Sequence, residues 1–172
     1  QIPEIVLMYN TSEGHKAIAE AIQQMWVDTL GIKVSVVNQE WAVFLDTIRG
    51  VDTPHIYRLG WCLDYPDANN WLREVFAVNG SANPDNDGDG IPDGGVSWKN
   101  DTYEQLVADA AVETDPVKRV DLYAQAEQIL VWEDAAIIPI YWYTSVEVTR
   151  PYITRTFANS NTQHFEKWDI VK

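Results

Sequence analysis

Five apolar residues follow one another from Ile5 to Tyr9, and residues 4–9 are read as a buried strand. After Ser12, apolar positions Ile18, Ile22, Met25, Trp26 and Leu30 recur at helical spacing until Gly31 stops them, which predicts a helix. Ile32 to Val37 is rich in β-branched residues and predicts a second strand. Trp41, Phe44, Leu45 and Ile48, closed by Gly50, then predict a short second helix. His55 to Trp61 predicts a third strand. Strand and helix alternate through these residues, so an α/β fold with parallel strands and helical crossovers is expected.

Further along, Asn69 is placed to cap a short helix through about Phe76. Residues 79–97 carry no hydrophobic period and many Asp, Asn, Gly and Pro, which predicts one long loop. Two helices follow, Asp101 to about Glu113 and Pro116 to about Glu133, the second capped by Asp115 with Pro116 in its first turn. Val120, Tyr123, Ala126, Gln128, Ile129 and Leu130 give that helix its core face. Ile137–Tyr143 and Val146–Thr149 are read as extended, and a last strand is expected near Phe165–Val171. No internal repeat or low-complexity tract interrupts the series.

At 172 residues and 46% hydrophobic content the chain can bury a genuine core as one domain or one lobe. Twelve Lys and Arg against twenty-six Asp and Glu leave a net charge of −14, which repels phosphate backbones and anionic lipid and excludes nucleic acid as a partner. No apolar run approaches the roughly 18 residues of a membrane span. Cys62 is the lone cysteine, with no partner for an internal disulfide or a metal cluster, and is read as a small buried residue. Gln1 stands almost directly before the first apolar run, without a methionine, which reads as a piece of a longer protein.

The sharpest chemical signal is the stretch Asp85-Asn86-Asp87-Gly88-Asp89-Gly90-Ile91-Pro92-Asp93. Oxygen ligands alternate around a turn-permitting glycine, with Asp85, Asp87, Asp89, the Ile91 carbonyl and Asp93 spaced to converge on Ca²⁺. An EF-hand would need a glutamate where Val96 stands, and clear flanking EF-hand helices are missing. Over these nine residues the stretch resembles the calcium repeats of thrombospondin type 3 and dockerin-like modules, which implies a structural calcium ion. The plainer alternative is a solvated acidic turn, but four aspartates so close would repel one another without a counter-ion.

The second signal, Gly60-Trp61-Cys62-Leu63-Asp64-Tyr65-Pro66-Asp67, stands where the third strand ends, the edge of an α/β sheet at which ligands bind. Trp61 and Tyr65 offer flat apolar faces there, and Asp64 an acceptor for a ligand ammonium. On composition alone the plainer reading, a core tryptophan and a proline turn, is the better one. The segment from Trp61 to Asp67 resembles the hallmark of the family 5 extracellular solute-binding proteins, the oligopeptide- and dipeptide-binding components of ABC importers. Leu30-Gly31-Ile32-Lys33-Val34, Asp115 to Leu130 and Ile137-Ile138-Pro139-Ile140-Tyr141-Trp142-Tyr143 resemble further segments of that family in the same order.

That resemblance implies a type II periplasmic-binding-protein-like α/β lobe, a central mixed sheet flanked by helices. It implies a lobe over residues 1–144, with the calcium-like loop inserted at 83–95, and a terminal segment, 145–172, that returns toward an N-terminal lobe absent from this chain. It implies binding of an oligopeptide, dipeptide or other small solute, with Asp64 holding the amino terminus and Trp61 and Tyr65 beside it. The implied partners are the missing lobe and the membrane subunits of an ABC transporter. The implied location is extracellular or periplasmic, with an N-terminal membrane anchor outside this chain. Val146, Val148, Tyr152, Ile153, Phe157 and Trp168 would then lack their usual cover, and the tail is expected to fold back on its own lobe or self-associate.

No enzyme is expected. His15, His55 and His164 are scattered and read as surface or core contacts, and neither a Gly-x-Ser-x-Gly elbow nor a His-x-x-x-His pair occurs. The alternative kept open is a secreted, calcium-stabilised carbohydrate-active or adhesion module, since aromatic residues beside carboxylates can line a sugar cleft.

Overall fold

The computed structural model describes residues 2–144, 146–156 and 165–171. Phe157 and His164 lie outside the described residues. The first part of the chain forms strand β1 (Ile5–Asn10), helix α1 (Glu13–Leu30), strand β2 (Val34–Gln39), helix α2 (Trp41–Arg49) and strand β3 (Ile56–Arg58). The strands form one parallel sheet in the order β2-β1-β3, with Ile5 opposite Val34, Asn10 opposite Gln39 and Tyr9 opposite Arg58.

β1 is the central strand, and its two faces are covered by different helices. Leu7 and Tyr9 pack with Ala19, Ile22 and Trp26 of α1, while Met8 packs with Phe44 and Ile48 of α2. The alternation of side chains along a strand makes this two-sided burial possible, and it explains why β1 is an unbroken apolar run. At the end of α1, Gly31 takes the left-handed conformation (φ +66°) and donates to the Val27 carbonyl, as a helix-ending glycine should.

Helix α3 (Ala68–Trp71) continues into a π-helical turn, Leu72–Phe76. Asp67, not Asn69, caps it: the Asp67 carboxylate accepts from the Asn69 N–H at 2.8 Å. Helices α4 (Asp101–Val112) and α5 (Pro116–Gln128) follow, and α5 widens into a second π-helical turn, Ile129–Glu133. Asn100 and Asp115 cap α4 and α5 through side-chain oxygens. Leu72, Tyr103, Val107, Ala110, Tyr123, Ala126, Ile129 and Leu130 form a separate helical core, inside which the Tyr103 hydroxyl donates to the Leu72 carbonyl at 2.6 Å.

Residues 79–97 form the long loop, but its base is fixed rather than solvated. Asn83, fully buried, donates to the carbonyls of Phe76 and Trp98 and accepts from the Trp98 N–H. Gly95 (φ +65°) donates to the Ile48 carbonyl at 2.7 Å, and a Cβ there would sit 2.1 Å from the Ala82 carbonyl oxygen, so only glycine fits.

Three expectations need correction. The seven-residue third strand is only Ile56–Arg58, because the chain leaves the sheet after Arg58. The main sheet is parallel throughout its described strands; the antiparallel pair of strands described is a ribbon of β4 (Ile153–Thr154) and β5 (Asp169–Ile170), with a 3₁₀ turn at Phe165–Lys167 just before β5. Ile137–Tyr143 and Val146–Thr149 form no described strand, since no described strand pairs with them; Ile137 packs half-buried against the helical core, but most of their other apolar side chains stay exposed, Trp142 at 79% and Val148 at 97%. The tail ribbon leaves Tyr152, Phe165 and Ile170 uncovered as well.

Candidate functional site

In the order β2-β1-β3 the chain runs from the central strand to one edge and then to the other, so the crossovers α1 and α2 diverge to opposite faces. The gap outside the carboxyl ends of β1 and β3 is the topological switch point of the sheet, where open α/β sheets bind ligands. A cleft of about 260 Å³ lies there, lined by Asn10, His15, Trp41, Arg58, Gly60, Cys62 and Tyr143. Asn10 and Arg58 are the last residues of β1 and β3, His15 stands on the first turn of α1, and Trp41 opens α2.

Arg58 is buried, and its Nη2 donates to the hydroxyls of Tyr143 and, at 3.3 Å, Tyr141. Among the described residues no carboxylate comes within ion-pair distance of it. Gly60 makes room for this arrangement, since a Cβ there would lie 2.9 Å from the Tyr143 hydroxyl oxygen. Burial pushes the Tyr143 phenol up, but the hydrogen bonds from Arg58 and Tyr141 and the charge of Arg58 outweigh it and hold the group below its ordinary value. His15 Nδ1 lies 3.2 Å from the Asn10 carbonyl, and the buried Asn10 Oδ1 has no hydrogen-bond partner. The cleft thus offers a buried cation, an unused acceptor and aromatic faces. Of these residues Gly60 and Cys62 belong to the segment that the sequence places at the sheet edge, and His15, Trp41 and Tyr143 read from sequence as ordinary structural contacts, while Asn10 and Arg58 carry no local signal beyond their position at strand ends. Cys62 is exposed at this cleft instead of buried.

Asp64, Trp61 and Tyr65 belong to a polar network beside the cleft; Asp64 does not line it. Asn70, 0% exposed, stands at the centre of the network. Its Oδ1 accepts from Trp61 Nε1 at 3.0 Å and from the Asp64 N–H at 3.1 Å, and its Nδ2 donates to Asp64 Oδ2 at 3.1 Å and Glu74 Oε2 at 2.9 Å. The Asp64 carboxylate is exposed and takes part in no ion pair among the described residues.

Tyr65 contributes its hydroxyl rather than a bare apolar face: it donates to Glu74 Oε1 at 2.5 Å and accepts from Asn69 Nδ2 at 2.7 Å. Its bond to Glu74 raises the Tyr65 phenol and lowers the Glu74 carboxyl. Asn69 Oδ1 accepts from the Tyr123 hydroxyl, and Arg119 reaches Asp67, so α5 holds this segment from behind.

In the acidic loop, Asp85, Asp87 and Asp89 bring one carboxylate oxygen each within 4.8 Å of one another. Asp85 also accepts from the N–H groups of Gly88, Asp89 and Gly90, which wraps the turn around it. Asp93 stands apart from this trio, its Oδ1 accepting from the N–H and Nδ2 of Asn86 at 2.9 and 2.8 Å, and the Ile91 N–H donates to Asp89 Oδ1. Three converging carboxylates suit a hard cation, and Asp93 acts as a strut of the turn. A larger hollow of about 390 Å³, lined by Arg73, Glu104 and Val107 among others, lies away from the strand ends, and its Glu104 is already committed to the Val78 N–H.

Residues 1–83 match the family described as bacterial extracellular solute-binding proteins, family 5 Middle. The periplasmic oligopeptide-binding protein OppA of Salmonella typhimurium is 35% identical over 147 residues, which are 86% of this chain and 24% of that protein. Among solved structures, the Escherichia coli murein tripeptide binding protein MppA matches with a TM-score of 0.71 and 32% identity over 88% of this chain and 27% of the other. Haemophilus influenzae OppA, solved in complex with RPPGFSPFR, matches with a TM-score of 0.69 and 31% identity over 88% of this chain and 27% of the other. The chain spans about a quarter of the length of the relatives it matches. A parallel sheet with its cleft at the switch point, the segment from Trp61 to Asp67, and these likenesses agree: the chain belongs to the family 5 extracellular solute-binding proteins.

Proposed function

We propose that the chain supplies one lobe of a two-lobed receptor that binds peptides for ABC-type import, residues 1–144 forming the lobe and 145–172 returning toward the other. The observation that carries this reading is the chemistry of the switch-point cleft. Among the described residues Arg58 is a buried cation held by phenols alone and Asn10 Oδ1 is a buried acceptor without a donor, while Trp41 and Tyr143 provide flat faces. A peptide offers the three complements: a carboxylate, N–H groups and apolar side chains. Asp64, exposed and without a cation partner among the described residues, holds the ligand's amino group. The work is binding, without a catalytic step, on the outer side of the membrane and in company with the importer's membrane subunits. An N-terminal anchor preceding this chain would tether the receptor there. No observation favours a carbohydrate-active or adhesion module.

The test is calorimetric titration of the complete receptor with peptides bearing a free or an amidated C-terminus. Arg58→Met is expected to weaken binding of the free acid about tenfold or more and to spare the amide. Equal affinity of the variant and the parent for the free acid refutes the assignment.

We further propose that the acidic loop holds a structural Ca²⁺ through Asp85, Asp87 and Asp89, with the Ile91 carbonyl and Asp93 completing the loop. The convergence of three carboxylates supports this reading. The ion would neutralise the loop and stabilise the lobe without touching the ligand.

A further inference from the structure

We infer that Asn70 is the positioning residue of the amino-group site: its buried amide fixes the Asp64 carboxylate and the Trp61 indole in one arrangement while leaving the Asp64 charge free for a ligand ammonium. This rests on Asp64 being the ligand carboxylate. An asparagine side chain has two donor hydrogens and two acceptor lone pairs, and Asn70 uses all four, with no exposure to water. The partners also fix which way the amide faces. Its oxygen meets two N–H groups and its nitrogen meets two carboxylates, so the flipped amide would set oxygen against Asp64 and Glu74 and lose all four bonds.

The choice of a neutral donor is the informative part. A lysine or arginine at this place could hold Asp64 equally firmly, but would cancel its charge. An amide donates one hydrogen to Asp64 Oδ2 and leaves the carboxylate of this exposed residue anionic. The same Nδ2 holds Glu74, whose second oxygen is occupied by Tyr65, so Asp64 is the carboxylate of the pair with capacity to spare. Because Asn70 also accepts from Trp61 Nε1, the indole and the carboxylate cannot shift independently. An aromatic face and an anion at fixed separation would recognise the start of a peptide: an ammonium followed by a side chain.

Asn70→Asp separates positioning from packing. The substitution is isosteric and keeps the acceptor for Trp61 and the Asp64 N–H, but it turns the donor into an anion facing two carboxylates. In the complete receptor, affinities are measured for a free-amine peptide and its N-acetylated form by calorimetry, beside melting temperature. Asp64→Asn is expected to reduce the preference for the free amine about tenfold, and Asn70→Asp to do the same while affinity for the acetylated peptide changes less than about twofold. If Asn70→Asp yields no folded protein, Asn70→Ser, neutral and too short to reach the Asp64 carboxylate, is measured instead and is expected to lose several-fold of the preference. A variant that weakens both peptides equally has a purely structural effect and overturns the inference, as does one that keeps the full preference. If Asp64→Asn itself leaves the preference intact, it is the reading of Asp64 that fails.

Discussion

Arg119 grips Asp67 with two hydrogen bonds, Nη1 to Oδ2 at 2.6 Å and Nη2 to Oδ1 at 2.8 Å, across 52 residues of chain. Its Nε donates to the Ala110 carbonyl at the same time, so one side chain ties the segment from Trp61 to Asp67 to both α4 and α5. Arg119→Met is expected to cost about 1–3 kcal/mol, and Arg119→Lys to recover only part of it, since an ammonium cannot make the paired bonds. The hydrogen bond from Arg119 holds the Asp67 carboxyl below its ordinary 3.8. This contribution is therefore complete above that value and is lost as the pH falls through the lower, folded value. Urea denaturation at neutral and acid pH checks it: the gap between parent and variant should narrow in acid.

Tyr143 is expected to ionise at lower pH than an ordinary tyrosine, because Arg58 favours its phenolate. Once formed, the phenolate neutralises Arg58, so affinity for an anionic ligand should fall with that ionisation. Ultraviolet titration of the parent against Tyr143→Phe isolates the group, and calorimetry over the same pH range follows affinity. In Tyr143→Phe that alkaline loss of affinity should disappear.

The helical core should respond strongly to small changes. Tyr103→Phe leaves the buried Leu72 carbonyl without its donor and is expected to cost about 1–3 kcal/mol. Leu130→Ala, at a site with no solvent exposure, should cost about 2–5 kcal/mol. Equilibrium unfolding measures both.

If calcium occupies the acidic loop, adding it should raise the melting temperature, and a chelator should reverse the rise. Asp87→Ala is expected to abolish the response. Calorimetry with Ca²⁺ alone gives the decisive reading, and absence of heat from the parent protein refutes the site.

The order of strands and helices was legible because β1, α1, β2 and α2 each bury a face with its own period, and that period is written locally. What escaped was set by distance along the chain. Arg58 reads as an interruption of a strand until Tyr141 and Tyr143 arrive beside it, and Asn70 reads as one of two adjacent asparagines until Trp61, Asp64 and Glu74 surround it. Asn69 satisfies the local rule for a cap, since asparagine is a good one, but Asp67 takes that role, held in place by Arg119 from another helix. The run Ile137–Tyr143 has the composition of a strand, but a strand needs a neighbour, and composition does not supply one. The aspartate spacing, by contrast, is a local signal, and three of its carboxylates do converge.

At the base of the acidic loop, Asn83 bonds to Trp98 and the Val96 N–H donates to the Ala82 carbonyl, so the chain departs and returns at one place. A loop whose ends are already joined adds little closure entropy as it lengthens, and changes at its tip need not reach the sheet. The stretch from Asp87 to Ile91, beyond the Asn86 contact to the Arg49 carbonyl, is accordingly where a short glycine turn or a foreign peptide would be grafted between those anchors, at the cost of the ion proposed for the loop but away from the residues that line the switch-point cleft.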